Sequence, residues 1–134
     1  EWLFRSLDAG HPEPERTVAD WVSVYEDKGK LPAARALLEK AIQKFPENEP
    51  FARELSLLKF KRWRDCSGAL ESLSRFEART SDTDTLNALA LFQTCLGRRS
   101  EAISLFERSL ALNRNQPAVV QSLNMVRSEK SGEN

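Results

Sequence analysis

The chain has 134 residues, with 20 Lys and Arg against 20 Asp and Glu, one His, two Cys, five Gly and six Pro. An apolar share of 40% beside 30% charged residues is too rich for a disordered tail and too polar for a membrane span, so the composition describes one soluble folded unit. Zero net charge excludes a bulk attraction to nucleic acid or anionic membrane. One His and two separated Cys leave almost no room for a Cys/His zinc site, and cannot build a disulfide framework.

Glu1 is not a start methionine, and no basic and apolar leader precedes the first helical pattern, so no targeting segment is visible. The expectation is that the parent protein extends beyond these residues, and the compartment, cytoplasmic or periplasmic with a membrane anchor elsewhere, stays open. Residues 1–14 read as a helix bearing Phe4 and Leu7, closed by Pro12. The same types recur 34 residues later as Leu38, Ala41 and Pro46. Val18, Trp21, Val22 and Tyr25 follow the i, i+3, i+4, i+7 spacing of a helix face. After a break at Gly29-Lys30-Leu31-Pro32, Ala34, Leu37, Leu38, Ala41, Ile42 and Phe45 resume it. Gly29 suits the position just past a helix C-terminus and Pro32 the first turn of the next, which makes a helical hairpin.

A second hairpin runs from Pro50-Phe51 through Leu55, Leu58 and Trp63, then Ala69, Leu70, Leu73 and Phe76. A third runs from Leu86, Leu89 and Ala90 past Gly97 to Ala102, Ile103, Phe106 and Leu110. Gly29 and Gly97, Ala34 and Ala102, and Leu38 and Phe106 are all 68 residues apart, twice the first interval. Ala69 falls 35 after Ala34 and 33 before Ala102, which implies one residue inserted in the second hairpin's turn. Pro117 starts a last helix, with Val120, Leu123 and Val126 expected on its buried face.

These residues resemble the tetratricopeptide repeat, a 34-residue helical hairpin patterned W-x2-L-G-x2-Y, A-x3-F, P. The match is best over residues 15–48, with Val18, Trp21, Val22 and Tyr25, then Ala34, Leu38, Ala41 and Pro46. Residues 83–116 match through Leu86, Leu89, Ala90, Ala102 and Phe106, with Gln93 in place of the aromatic and Arg114 in place of the proline. The resemblance implies an all-α superhelix of about three hairpins with a flanking helix at each end. Residues 1–14 would be the second helix of a truncated repeat, 15–48 repeat 1, 49–82 a degenerate repeat 2, 83–116 repeat 3, 117–129 a capping helix and 130–134 a frayed tail. The style of the repeats is similar to bacterial members of the family.

Arrays of this kind bind partners on the concave wall built by their first helices. By resemblance that wall holds Ala19, Ser23 and Glu26, then Arg53, Leu57, Phe60 and Lys61, then Asn87, Leu91 and Thr94. An apolar centre at Leu57, Phe60 and Leu91 beside Arg53 and Lys61 suits a peptide with an apolar anchor and a nearby acid. The competing reading is that these apolar residues simply pack between helices. Turns inside the hairpins carry Lys28, Lys30, Arg62, Arg64, Arg98 and Arg99, and turns between hairpins carry Glu13, Glu15, Glu47, Glu49, Asp82 and Asp84. The expectation is a basic edge opposite an acidic one, much of it helix-terminus electrostatics, with the basic edge as the other candidate surface for a partner: an acidic protein face, an anionic polysaccharide or lipid headgroups.

One subgroup of the family clamps chaperone C-terminal carboxylates with Lys, Asn, Asn, Lys and Arg. Those positions here hold Ala19, Ser23, Glu54, Asp84 and Ala88, so no such clamp is expected. The run Lys59-Phe60-Lys61-Arg62-Trp63-Arg64 could contact nucleic acid, but helix-end charges and core aromatics account for it better. His11 reads as a surface loop residue. A disulfide between Cys66 and Cys95 is open to the chain, and the expectation is against it. No triad, phosphate-cradling loop or metal motif is readable, so catalytic residues, metal and cofactor are all expected to be absent. The expected function is a protein-interaction scaffold that helps assemble a multiprotein complex, such as those of bacterial envelopes, secretion or polysaccharide export. The alternatives are a self-association module or the substrate-recruiting repeats of a larger enzyme.

Overall fold

The computed structural model describes residues 14–132. In order they form α1 (Pro14–Asp27), α2 (Leu31–Lys44), α3 (Glu49–Trp63), α4 (Cys66–Leu73), a 3₁₀ turn (Ser74–Phe76), α5 (Thr83–Cys95), α6 (Arg99–Leu112) and α7 (Pro117–Gly132). The all-α expectation therefore holds, with no strand among the described residues. The expected helix before Pro12, and His11, lie outside them.

The chain divides into two compact units, residues 1–52 and 53–134. In the first, α1 packs on α2 around Val18, Val22, Leu37 and Leu38. Ala34 and Ala41 are fully buried, and their small side chains let the two helices approach closely. The turn between them is closed by Gly29 at φ 73°, a left-handed conformation that costs glycine nothing. Its N–H donates to Glu26 O, and the N–H of Lys30 reaches back five residues to Tyr25 O. Pro32 then starts α2 where no N–H is needed. Trp21 and Tyr25 pack ring against ring at 5.9 Å. At the far end Phe45 meets Phe51 at 6.0 Å, and Asn48 Oδ1 caps the next helix by accepting from Phe51 N.

In the second unit α4 packs on α5, α5 on α6, and α6 on α7. Helix α5 is the centre of this unit: Thr85, Leu86, Ala88, Leu89, Ala90, Phe92 and Gln93 are all buried, so it is covered on several sides rather than along one stripe. Asp82 caps it, its carboxylate accepting from Asp84 N at 2.8 Å. Gly97, at φ 78°, ends it with the same bonding seen at Gly29: Gly97 N to Thr94 O and Arg98 N to Gln93 O.

Four expectations need correcting. The second helix of the second hairpin is short: α4 ends at Leu73 and tightens into the 3₁₀ turn. Ser72 and Ser74 turn their hydroxyls onto the carbonyls of Gly68 and Glu71, the local competition that weakens a helix interior. The buried face of α7 is Val119, Leu123 and Val126, while Val120 points to solvent. That helix also continues to Gly132, into the stretch expected to fray from residue 130, whose last two residues lie outside those described.

Finally, Cys66 and Cys95 are joined as a disulfide. Helices α4 and α5 are consecutive and packed on each other, with Cys66 starting the first and Cys95 ending the second. Their Cα atoms lie 6.2 Å apart, a separation that a disulfide spans without moving the backbone.

Candidate functional site

The expected inner-wall and basic-edge residues fall in both units. In the first, Ala19 and Ser23 lie on α1, with Ser23 exposed and Glu26 half-buried, and Lys28 and Lys30 are exposed beside Gly29. The second unit holds the remainder, on α3, on α5 and in the turns that end them.

Leu57 and Phe60, on consecutive turns of α3, are half-buried. Phe60 lies against Phe92 of α5 with ring centroids 5.6 Å apart. Leu91, the α5 residue beside Phe92, keeps 39% of its surface exposed. Phe60 thus packs between α3 and α5, while Leu91 faces solvent.

The polar positions tell a different story. Arg53 Nη1 donates to Asp82 Oδ2 at 2.9 Å and to Thr85 Oγ1 at 3.0 Å, and only 17% of its side chain is exposed. The guanidinium expected to flank a partner's acid instead ties α3 to the start of α5. Asn87 Nδ2 donates to Gln116 Oε1 at 3.0 Å, and the Gln116 amide nitrogen in turn donates to Ser109 O, Ser109 Oγ and Asn113 O. Arg53 to Asp82 and Asn87 to Gln116 each span 29 residues, and both partners advance by 34 from one pair to the next. The same slot is filled by an ion pair at one joint and by an amide pair at the next. Sequence reasoning missed Asp82 and Gln116 as partners, although their spacing carried the signal. Thr94 donates to Ala90 O within its own helix.

At the C-terminal end of α3 the backbone does something unusual. Arg64 has φ 53°, the positive-φ position that Gly29 and Gly97 occupy in the other hairpins. Its N–H donates to Phe60 O, and the N–H of Asp65 reaches back six residues to Lys59 O, one more than at the glycine turns. The extra residue expected in the turn is instead taken up in the last turn of α3, and the turn itself is only Arg64 and Asp65. Arg64 lays its guanidinium over the Phe60 ring at 5.4 Å. Asp65 caps α4 by accepting from Gly68 N, and a side chain at Gly68 would collide with that carboxylate at 2.2 Å. Lys61, Arg62 and Arg98 are exposed, Arg99 is half-buried, and Trp63 is 40% exposed.

Among the described residues no group of three or more His, Cys, Asp or Glu side chains is placed to hold a metal ion. A depression of about 250 Å³ beside α6, between Glu77 and Arg108, is bridged by the bond from Arg108 Nη2 to Glu77 O. No described helix is long and apolar enough to cross a membrane.

No protein-family model matches the sequence, and no curated protein does. The fold, however, has clear counterparts among solved structures. A crystal structure of MamA aligns with a TM-score of 0.77 at 20% identity, over 96% of this chain and 75% of that one. The first TPR domain of human RPAP3 aligns at 0.79 and 19%, over 90% and 95%. A tetratricopeptide repeat protein from Parabacteroides merdae ATCC 43184 aligns at 0.74 and 21%, over 87% and 47%. The chain has the tetratricopeptide-repeat fold.

Proposed function

We propose that this chain is a protein-interaction module that holds a peptide segment of a partner against α3 and α5 and so contributes to assembling a multiprotein complex. The observation that carries the reading is Phe60 of α3 packed half-buried on Phe92 of α5, with Leu57 one turn before it and Leu91 exposed next to Phe92 in the chain, which together we read as an apolar strip. Stacked helical hairpins use such faces for extended ligands, and apolar anchors on a helix-lined surface suit a peptide better than a small polar substrate. Arg53 Nη1, Asn87 Nδ2 and Thr94 Oγ1 donate within the chain, so the apolar residues are the main recognition element. Leu91→Glu places a charge on an exposed position without opening the core. The mutant domain is expected to lose partners that the wild-type domain recovers in a pull-down, with an unchanged thermal melt. Full recovery by the mutant would reject the reading.

A second reading, self-association, is favoured by three exposed apolar residues toward the end of the chain: Leu112, Val120 and Met125, the last 61% exposed. Light scattering that gives a dimer for the wild type and a monomer for Met125→Glu would support it.

A further inference from the structure

We infer that the partner segment carries acidic residues next to its apolar anchor, and that Arg64, with Arg62 and Arg98, reads them. This rests on the peptide-binding reading above and names the chemistry of that peptide. Arg64 occupies a backbone conformation that the other two hairpins reserve for glycine. A non-glycine residue there is disfavoured by its own Cβ, so the fold would be better served by the smaller residue, and strain kept at one turn of three points to a role for the side chain. That side chain is pre-positioned: its guanidinium lies over the ring of Phe60, itself a member of the apolar strip.

The charge around it is reinforced from a second turn. The Cys66–Cys95 disulfide fixes the start of α4 beside the end of α5. Arg62 and Arg64 precede Cys66, and Arg98 follows Cys95, so the cross-link holds the two arginine-bearing turns together. Asp65, the acid within this cluster, already accepts from Gly68 N as a helix cap. Half-exposed Trp63 adds an aromatic group of the kind that, with arginine, dominates protein interfaces. A carboxylate-bearing peptide whose apolar residue rests on Leu57, Phe60 and Leu91 would therefore meet a rigid cationic lip at Arg64, whereas Arg53 is already paired with Asp82.

The test is selection of a displayed, randomised peptide library on the 134-residue chain, followed by fluorescence anisotropy with the enriched peptides. Wild type is expected to enrich peptides with an apolar residue flanked on one side by Asp or Glu. Arg64→Gly is expected to weaken their binding by about three- to tenfold while keeping the apolar preference and without lowering the melting temperature. Arg62→Ser with Arg98→Ser should act in the same direction, and added salt should flatten the difference. Apolar enrichment without acidic bias, or an acidic bias that survives Arg64→Gly, overturns this inference and leaves the groove standing. Binders indifferent to Leu91→Glu, or no enrichment at all, overturn the groove reading and this inference with it. Arg64-dependent capture of single-stranded DNA in preference to acidic peptides also overturns it.

Discussion

The second and third hairpins are built on one plan and executed differently. In the third, α5 ends on a glycine in the left-handed conformation, α6 is full length, and Ala102 sits with no exposed surface at the helix crossing. In the second, an arginine takes the glycine's place, the hydrogen bond that closes the helix end reaches back one residue further, and α4 is eight residues long before it tightens into the 3₁₀ turn. The core positions match nonetheless: Ala69 is as completely buried as Ala102. Departures from the repeat thus concentrate at the end of α3 and the start of α4, where arginines, an exposed tryptophan and the disulfide gather. Packing holds the shared plan in place, and the irregular turn is where the chemistry differs.

Six substitutions bear on that contrast. Cys95→Ser removes the cross-link from an exposed position and should lower stability by about 3.6 kcal/mol, the loop-closure term for a bridge of this span, measured by denaturant titration with and without reductant. A reductant-insensitive wild type would mean that the two hairpins do not depend on the bond. Ala102→Leu should overpack the regular hairpin by about 1–3 kcal/mol, seen as a lower melting temperature. Arg53→Ala and Asn87→Ala should each cost about 1 kcal/mol, and only the first should shrink as salt rises, because only the first breaks an ion pair. The last pair has opposite signs: Arg64→Gly should stabilise by about 0.5–1 kcal/mol, while Gly97→Ala should destabilise by a similar amount, because only the second puts a Cβ into left-handed backbone. If both changes proved destabilising, the Arg64 turn would not be strained.

Much of this plan was legible in advance. The 34-residue interval, Gly29, Pro32 and the buried alanines specify helical hairpins because each is a local requirement of a turn or a crossing. The inserted residue in the second hairpin was legible too, since Ala69 is displaced from both neighbours. What escaped were features set by contacts between hairpins. The Cys66–Cys95 bond depends on α4 and α5 lying side by side, and Arg53's pairing with Asp82 depends on which residue caps α5. Val119 and Val120 are adjacent on the helix and equally apolar, so the sequence does not separate them and only the packing of α7 on α6 decides between them.

The disulfide also changes how the second unit comes apart. A stack in which each hairpin touches only its neighbours tends to unzip from an end, one segment at a time. Here α7 can peel away in that manner, but α4 and α5 stay tethered across a 29-residue loop even after their side chains have let go. Unzipping therefore stalls at a covalent stop. The slowest-exchanging amides of this unit should lie in α5, and re-formation should spread outward from the tethered pair. In an otherwise modular stack, two neighbouring modules have become one cooperative block.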